Sequence, residues 1–273
     1  MCTLDGCGES AKMPPLVITP TDRRAFLAGL AALPLAAVLS DSALAQAAAA
    51  NAEPFTFQTM GNRKASGVIA KPAQWPAPAV VLVHEWWGLN DQIKAVAVEL
   101  ANQGYVAIAI DLYGKPATTD PAVAKEMMSS LDTEAALDVM ASTIYWARDQ
   151  TFVNGKVGTV GWCFGGAWSL NASMAAPVDA TVIYYGNVER SVNQLRSLMG
   201  PVIGHFGTKD TSIPESMVKQ FAENMQAADK SLTVYWYDAD HAFANPTGAR
   251  YDAADAAQAW ERTLAFFQAN LTT

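Results

Sequence analysis

Gly161-Trp162-Cys163-Phe164-Gly165-Gly166 follows the β-rich run Lys156-Val157-Gly158-Thr159-Val160 and precedes a helix-compatible run, Ala167 to Ala176. The pattern is Gly-x-nucleophile-x-Gly at a strand-to-helix turn, a geometry that crowds the backbone and pushes the central side chain outward. Glycine on either side avoids a Cβ where strand and helix come close. The central residue here is cysteine. At the first turn of a helix it faces unpaired N–H groups and the positive end of the backbone dipole, and both favour a thiolate. A lone cysteine is more commonly a small buried hydrophobe. The strand, the spaced glycines and the helix together favour the nucleophile.

The rest of the chain reads outward from that turn. Upstream, Phe55 to Thr59 alternates at period two, turns at Gly61-Asn62 and resumes from Lys64 to Ala70, which predicts an antiparallel hairpin at a sheet edge. Ala79 to Val83 and Val106 to Ile110 are continuous apolar runs, as expected of strands covered on both faces. Helices are predicted from Asn90 to Gln103, Pro121 to Ser130 and Asp132 to Arg148. Downstream, strands at Thr181 to Tyr185, Pro201 to Phe206 and Leu232 to Tyr237 alternate with a weak helix around Val192 to Met199 and helices from Pro214 to Ala228 and Tyr251 to Asn270. This alternation predicts an α/β fold: a mostly parallel central sheet with an N-terminal antiparallel hairpin and helices on both faces. One domain is expected, residues 55–273.

The chain has 273 residues, of which 51% are hydrophobic, and a net charge of −8. No basic patch of the kind that binds nucleic acid is present, and the acidic balance argues against a polyanionic partner. Residues 1–45 read as an export leader. Thr21-Asp22-Arg23-Arg24-Ala25-Phe26-Leu27 has the form of a twin-arginine motif, and Ala43-Leu44-Ala45 that of a small-x-small cleavage site. The apolar run between them, Phe26 to Leu39, is 14 residues long, short of the ~20 needed to span a bilayer, so no stable membrane anchor is expected. The expected partner of this segment is the twin-arginine translocase, and the expected destination is a bacterial periplasm. Residues 46–54 read as an alanine-rich disordered tail. Cleavage after Ala45 would remove Cys2 and Cys7 and leave Cys163 alone, with no intramolecular disulfide available. A single thiol kept in an oxidising compartment is a liability unless it has a task.

A thiol nucleophile needs a base, and the base needs an orienting group. The chain has three histidines. His205 sits inside an apolar strand and reads as structural. His84 ends a strand that precedes the nucleophile. His241 lies in the loop after the last strand, Asp238-Ala239-Asp240-His241-Ala242-Phe243, and is the candidate base. Asp210 directly follows the strand Pro201 to Phe206 and is the candidate acid, with Asp238 and Asp240 as rivals nearer to His241 in sequence. The order Cys163, Asp210, His241 is that of the α/β-hydrolase fold. The N–H of Phe164 is one expected oxyanion donor, and the N–H of Trp86, in the loop after Val83, is the other.

His84-Glu85-Trp86-Trp87-Gly88, Asp111-Leu112-Tyr113-Gly114, the cysteine turn, Tyr184-Tyr185-Gly186, Asp210 and His241-Ala242-Phe243 together resemble the dienelactone hydrolase family, from about Phe55 to the C-terminus. The resemblance implies a Cys-Asp-His triad, no metal or other cofactor, and hydrolysis of lactones or carboxylic esters, with dienelactones opened to maleylacetate as the best-known substrate class. It also implies that Glu85 interacts with the nucleophilic cysteine and helps generate the thiolate. Two family arginines that bind a substrate carboxylate fall where this chain has Lys115 and Asn245, and Tyr113 and Trp87 belong to the same expected substrate-binding set. Lysine keeps the charge without the bidentate fork, and asparagine keeps neither. Trp86, Trp87, Trp162 and Trp168 suggest an aromatic-walled pocket. The expected reading is a monomeric ester hydrolase acting on a small lactone or ester. The alternatives are a thiol redox protein using Cys163 as a peroxide-sensing centre and a non-catalytic binding protein on the same fold.

Overall fold

The computed structural model describes residues 35–272. Its strands are β1 (Glu53–Gln58), β2 (Lys64–Ala70), β3 (Ala77–Val83), β4 (Val106–Ile110), β5 (Val153–Trp162), β6 (Ala180–Tyr184), β7 (Val202–Gly207) and β8 (Leu232–Tyr237). They form one eight-stranded sheet in the order β1-β2-β4-β3-β5-β6-β7-β8. β1 pairs antiparallel with β2, and β2 antiparallel with β4. The pairings from β4 through β3 and β5 to β8 are parallel. The helices are α1 (Leu35–Ser40), α2 (Ser42–Ala49), α3 (Asp91–Asn102), α4 (Pro121–Ser129), α5 (Thr133–Arg148), α6 (Phe164–Ala175), α7 (Val192–Leu195), α8 (Glu215–Ala227) and α9 (Ala253–Leu271). This is the mostly parallel sheet with an antiparallel N-terminal pair that the alternating pattern predicts, in the α/β-hydrolase architecture implied by the resemblance.

The central strands explain why the runs are apolar throughout. Every residue of β3 and β4 is buried. Successive side chains still alternate between faces. Val80 and Leu82 join a core with Val96 of α3 and Phe267 of α9. Val81 and Val83 join another with Met140 and Ile144 of α5 and Ala172 of α6. A third cluster packs Ile183 and Phe206 under Val218, Phe221 and Met225 of α8. Burying one such side chain is worth about 1.5–3 kcal/mol, so two covered faces hold the strand ends in place.

Three local expectations differ from the structure. β5 begins earlier than predicted, at Val153. The weak helix is a single turn, Val192–Leu195, opened by a Ser191/Gln194 capping box, and does not run on to Met199. The stretch from residue 46, expected to be a disordered tail, is helical to Ala49 and enters β1 at Glu53. Asp41 caps α2 by accepting from the N–H groups of Ala43 (2.8 Å) and Leu44 (3.1 Å). Alanine has the highest helix propensity, and docking decides the matter: Ala45, Ala48 and Ala49 are buried, and Ala48 shares a core with Ile93 and Val96 of α3. The Ala43-Leu44-Ala45 site therefore lies within α2. The twin-arginine motif at residues 21–27, the apolar run up to residue 34, Cys2 and Cys7 lie outside the described residues. No helix among the described residues is long and apolar enough to cross a membrane.

Candidate active site

Four parallel strands deliver the site from one edge of the sheet, as open α/β sheets do. β3 leads into His84 and Glu85, β5 into Cys163, β7 into Asp210, and β8 into the loop that carries His241. Cys163 occupies the turn between β5 and α6 with φ +55° and ψ −116°, a conformation that non-glycine residues rarely adopt. The glycines around it are obligatory. A Cβ on Gly161 would lie 2.0 Å from the Gly165 carbonyl oxygen, and one on Gly165 would lie 2.2 Å from that of Val83. The Cys163 N–H donates to the Tyr184 carbonyl at 3.0 Å and fixes the turn against β6. Tyr185 (φ +38°) and Ala242 (φ +64°) are strained in the same sense, and all three border one cleft. Strain of this kind costs about 1–3 kcal/mol per residue and concentrates where geometry is imposed by function.

His241 Nε2 lies 3.1 Å from Cys163 Sγ, and His241 Nδ1 lies 2.7 Å from Asp210 Oδ2. The other Asp210 oxygen accepts from the N–H groups of Ser212 (2.8 Å) and Ile213 (2.9 Å). Burial alone would raise the Asp210 pKa; the hydrogen bonds from His241, Ile213 and Ser212 outweigh it and hold the carboxyl below its ordinary value. Burial likewise opposes charge on His241, but hydrogen bonds and charges on Asp210 and Cys163 push the imidazole up to about 10. The line Sγ–imidazole–carboxylate can thus move a proton from sulfur to nitrogen and stabilise it there. The rival acids are elsewhere: Asp238 and Asp240 are exposed, and Asp238 pairs with Lys209 at 3.0 Å.

The other histidines have separate partners. His205 is buried between the Tyr237 hydroxyl (2.8 Å) and the Thr263 hydroxyl (3.1 Å), and burial pushes its pKa down to about 3. The Leu112 N–H donates to His84 Nε2 at 3.2 Å, which leaves the proton on Nδ1, 2.6 Å from the Glu85 carbonyl. Both rings are structural.

Cys163, His241, Glu85, Trp86, Trp87, Phe164 and Asn245 line a cleft of about 1100 Å³. Among the described residues, no protein group accepts a hydrogen bond from the Phe164 or Trp86 N–H. Glu85 is 7% exposed. Its Oε2 accepts from Asn245 Nδ2 at 2.6 Å, so its hydrogen-bond partner is Asn245 and not the Cys163 sulfur. Burial raises the Glu85 pKa to about 7 against the opposing effects of Asn245 and the His241 charge.

Other expected contacts are absent from the cleft. Lys115 borders a separate shallow depression with Lys94 and Asp111. Tyr113 turns its ring onto Phe164 (5.4 Å between centroids) and His84 (4.8 Å) and does not line the cleft. Trp168 is core, packed with Ala172 and Val178, and Trp162 stacks on Tyr184 at 5.4 Å. The cation that does border the cleft is Arg250, in the loop between β8 and α9. Its signal in the sequence was its place in the same loop as His241. Among the described residues, no group of three or more His, Cys, Asp or Glu is disposed to hold a metal ion.

Residues 65–271 match the dienelactone hydrolase family. The chain is 32% identical over 225 residues to the carboxymethylenebutenolidase of Pseudomonas putida, covering 78% of this chain and 95% of that protein. It is 30% identical over 206 residues to carboxymethylenebutenolidase 1 of Cupriavidus pinatubonensis, covering 72% and 88%. The solved structure of a Klebsiella pneumoniae protein assigned as a dienelactone hydrolase superposes with a TM-score of 0.72 at 28% identity, over 79% of this chain and 97% of that one.

Proposed function

The chain belongs to the dienelactone hydrolase family and is an ester hydrolase of that type, and on that premise we propose that it cleaves lactones or carboxylic esters with Cys163 as the nucleophile. The observation that carries this reading is the continuous line from Sγ through His241 to Asp210, at 3.1 and 2.7 Å. Sγ gives its proton to Nε2 and attacks the acyl carbon. The carbonyl electrons move onto oxygen, where the Phe164 and Trp86 N–H groups receive the charge. Collapse of this adduct breaks the acyl–oxygen bond, and His241 protonates the departing alkoxide. Water then attacks the thioester with His241 as base, releases the acid and returns the proton to sulfur. For a lactone, alcohol and acid remain in one product. Glu85 shapes the electrostatics of the cleft through Asn245, and Trp87 walls it. Measuring hydrolysis of a dienelactone and of a short aryl ester before and after Cys163→Ala tests the proposal; equal rates in the two proteins would sink it.

The same reading places the protein in a bacterial periplasm as a monomer, carried there by the twin-arginine translocase. Its support is the Arg23-Arg24 motif and the apolar run behind it. Ala45 is 2% exposed within α2, so the helix must undock before a peptidase can reach the bond after it. Fractionation of cells expressing the full chain, beside an Arg23→Lys/Arg24→Lys variant, distinguishes export from cytoplasmic retention.

A further inference from the structure

Beside the cleft lies a second cavity of about 240 Å³. Leu39, Glu85, Asn90, Gln92, Tyr185 and Asn245 line both, so the cavity adjoins the sulfur's cleft along these side chains. Its far wall is apolar, with Ile93, Val96, Pro246 and Trp260, and in the full chain Leu35 and Ala36 of α1 close it; cleavage after Ala45 would remove that closure and leave the first four residues in place. The closing pair lies outside the family match at residues 65–271, and the cavity is to that extent a feature of this chain.

Three oxygens at this cavity are buried without a hydrogen bond of good geometry: Glu85 Oε1, the Tyr185 hydroxyl, which lies near enough to Glu85 to favour its ionised form, and the Tyr251 hydroxyl. The described residues contain five such side-chain atoms, and three of them cluster here. An unmade bond at a buried polar atom is costly, so such a cluster marks a place where an incoming polar group completes the set. A carboxylate oxygen accepts, and a tyrosine hydroxyl both donates and accepts. One hydroxyl on a ligand could give its proton to Glu85 and receive one from a tyrosine. An apolar cavity of roughly 150 Å³ is known to take benzene, so this one holds a substituted ring.

We propose that this cavity is a specificity subsite for an aromatic ring bearing a hydroxyl group, carried by the ester substrate. It rests on the ester-hydrolase reading for its place in turnover, though not for binding. Burial keeps the Glu85 carboxyl from ionising readily, which favours a neutral donor over a cation, and a ligand carboxylate would face Glu85 and the nearby Glu261.

The test uses the full chain with 4-methylphenol, toluene and 4-methylbenzylamine, read as direct calorimetric binding. The expected result is binding of 4-methylphenol at least tenfold tighter than of the other two. Tyr251→Phe should cut the preference over toluene severalfold. Ala256→Phe, which fills the cavity from α9, should weaken 4-methylphenol and toluene together while leaving vinyl acetate turnover within twofold. Equal affinity for 4-methylphenol and toluene would mean that the buried oxygens do not read the hydroxyl, and tighter binding of the amine would mean a cation site; either overturns the proposal. So would variants that leave the preference untouched. If Ala256→Phe does not fold, the shape-preserving Tyr251→Phe decides. Selective binding of 4-methylphenol without turnover of any ester would sink the hydrolase mechanism and leave the subsite standing.

Discussion

Replacing Glu85 by Gln should stabilise the protein increasingly as the pH rises above the carboxyl's ordinary 4.5, with the full gain reached above about 7. Glu85 is 7% exposed, and one of its oxygens has no hydrogen bond of good geometry. Burial raises its pKa from the ordinary 4.5 to about 7. Below pH 4.5 the group is protonated whether the chain is folded or not, so it adds no pH dependence. Between 4.5 and about 7 the folded protein holds a proton that the unfolded chain has released, and stability falls as pH rises. Above 7 the full penalty is present, and a shift of this size corresponds to about 3 kcal/mol at ~1.4 kcal/mol per unit. Glutamine keeps the volume and can still accept from Asn245 Nδ2, so the 2.6 Å contact is not orphaned. At ~2–4 °C per kcal/mol for a domain of this size, the variant should melt about 6–12 °C higher than the parent at pH 8 and at the same temperature near pH 4.5. Differential scanning calorimetry across that range is the assay. A gain of equal size at both ends, or a loss at pH 8, would refute the account of Glu85 as a charge held against its desolvation.

Three further outcomes follow from the site. Asp210→Asn keeps the shape but inverts the hydrogen bond to His241 Nδ1 and favours the wrong tautomer; kcat for a short aryl ester should fall by roughly 10³–10⁴, measured at constant KM conditions over pH 6–9. Gly161→Ala would drive a methyl to 2.0 Å from the Gly165 carbonyl, where backbone and not a flexible side chain must move. It should cost about 3 kcal/mol or more, or prevent soluble expression, as read by urea unfolding. Arg250→Ala should raise KM severalfold for carboxylate-bearing lactones and leave neutral esters alone, an effect that shrinks in high salt, while Lys115→Ala should change neither because it borders a different depression.

The legible parts of this protein are those in which backbone geometry restricts residue type. The turn at Cys163 tolerates only glycine at 161 and 165, so those letters announce it. The nearness of Asp210, His241 and Cys163 could be expected because each follows a strand, and parallel strands bring such residues to one edge whatever their separation in sequence. The misreadings concern side-chain direction and docking. Lys115 and Trp168 carry the right chemistry near the right segments, but one follows a turn out to a shallow surface depression and the other points down a helix face into the core. The stretch after residue 45 is alanine-rich enough for helix or disorder, and an isolated helix of eight residues is marginal; contact with Ile93 and Val96 tips it. The Glu85–Asn245 bond joins positions 160 residues apart, and no local pattern encodes it.

That bond also changes what the substitution at 245 means. Read as a lost arginine, Asn245 subtracts a positive charge from the substrate site. Placed beside Glu85, it leaves a buried carboxyl with one neutral amide donor at 2.6 Å and the Tyr185 hydroxyl nearby, where the cleft of Cys163 adjoins the apolar cavity. A guanidinium there would pair with the carboxylate and favour its ionised form. With asparagine, Glu85 is held back at a pKa of about 7, and the position can sense the polarity of whatever enters from either side. Asn245→Arg should therefore lower the Glu85 pKa and take up space where the two cavities adjoin. Loss of 4-methylphenol selectivity in that variant, with small-ester turnover retained, would follow from this geometry; a merely missing anion contact would instead restore carboxylate binding and leave phenol binding unchanged.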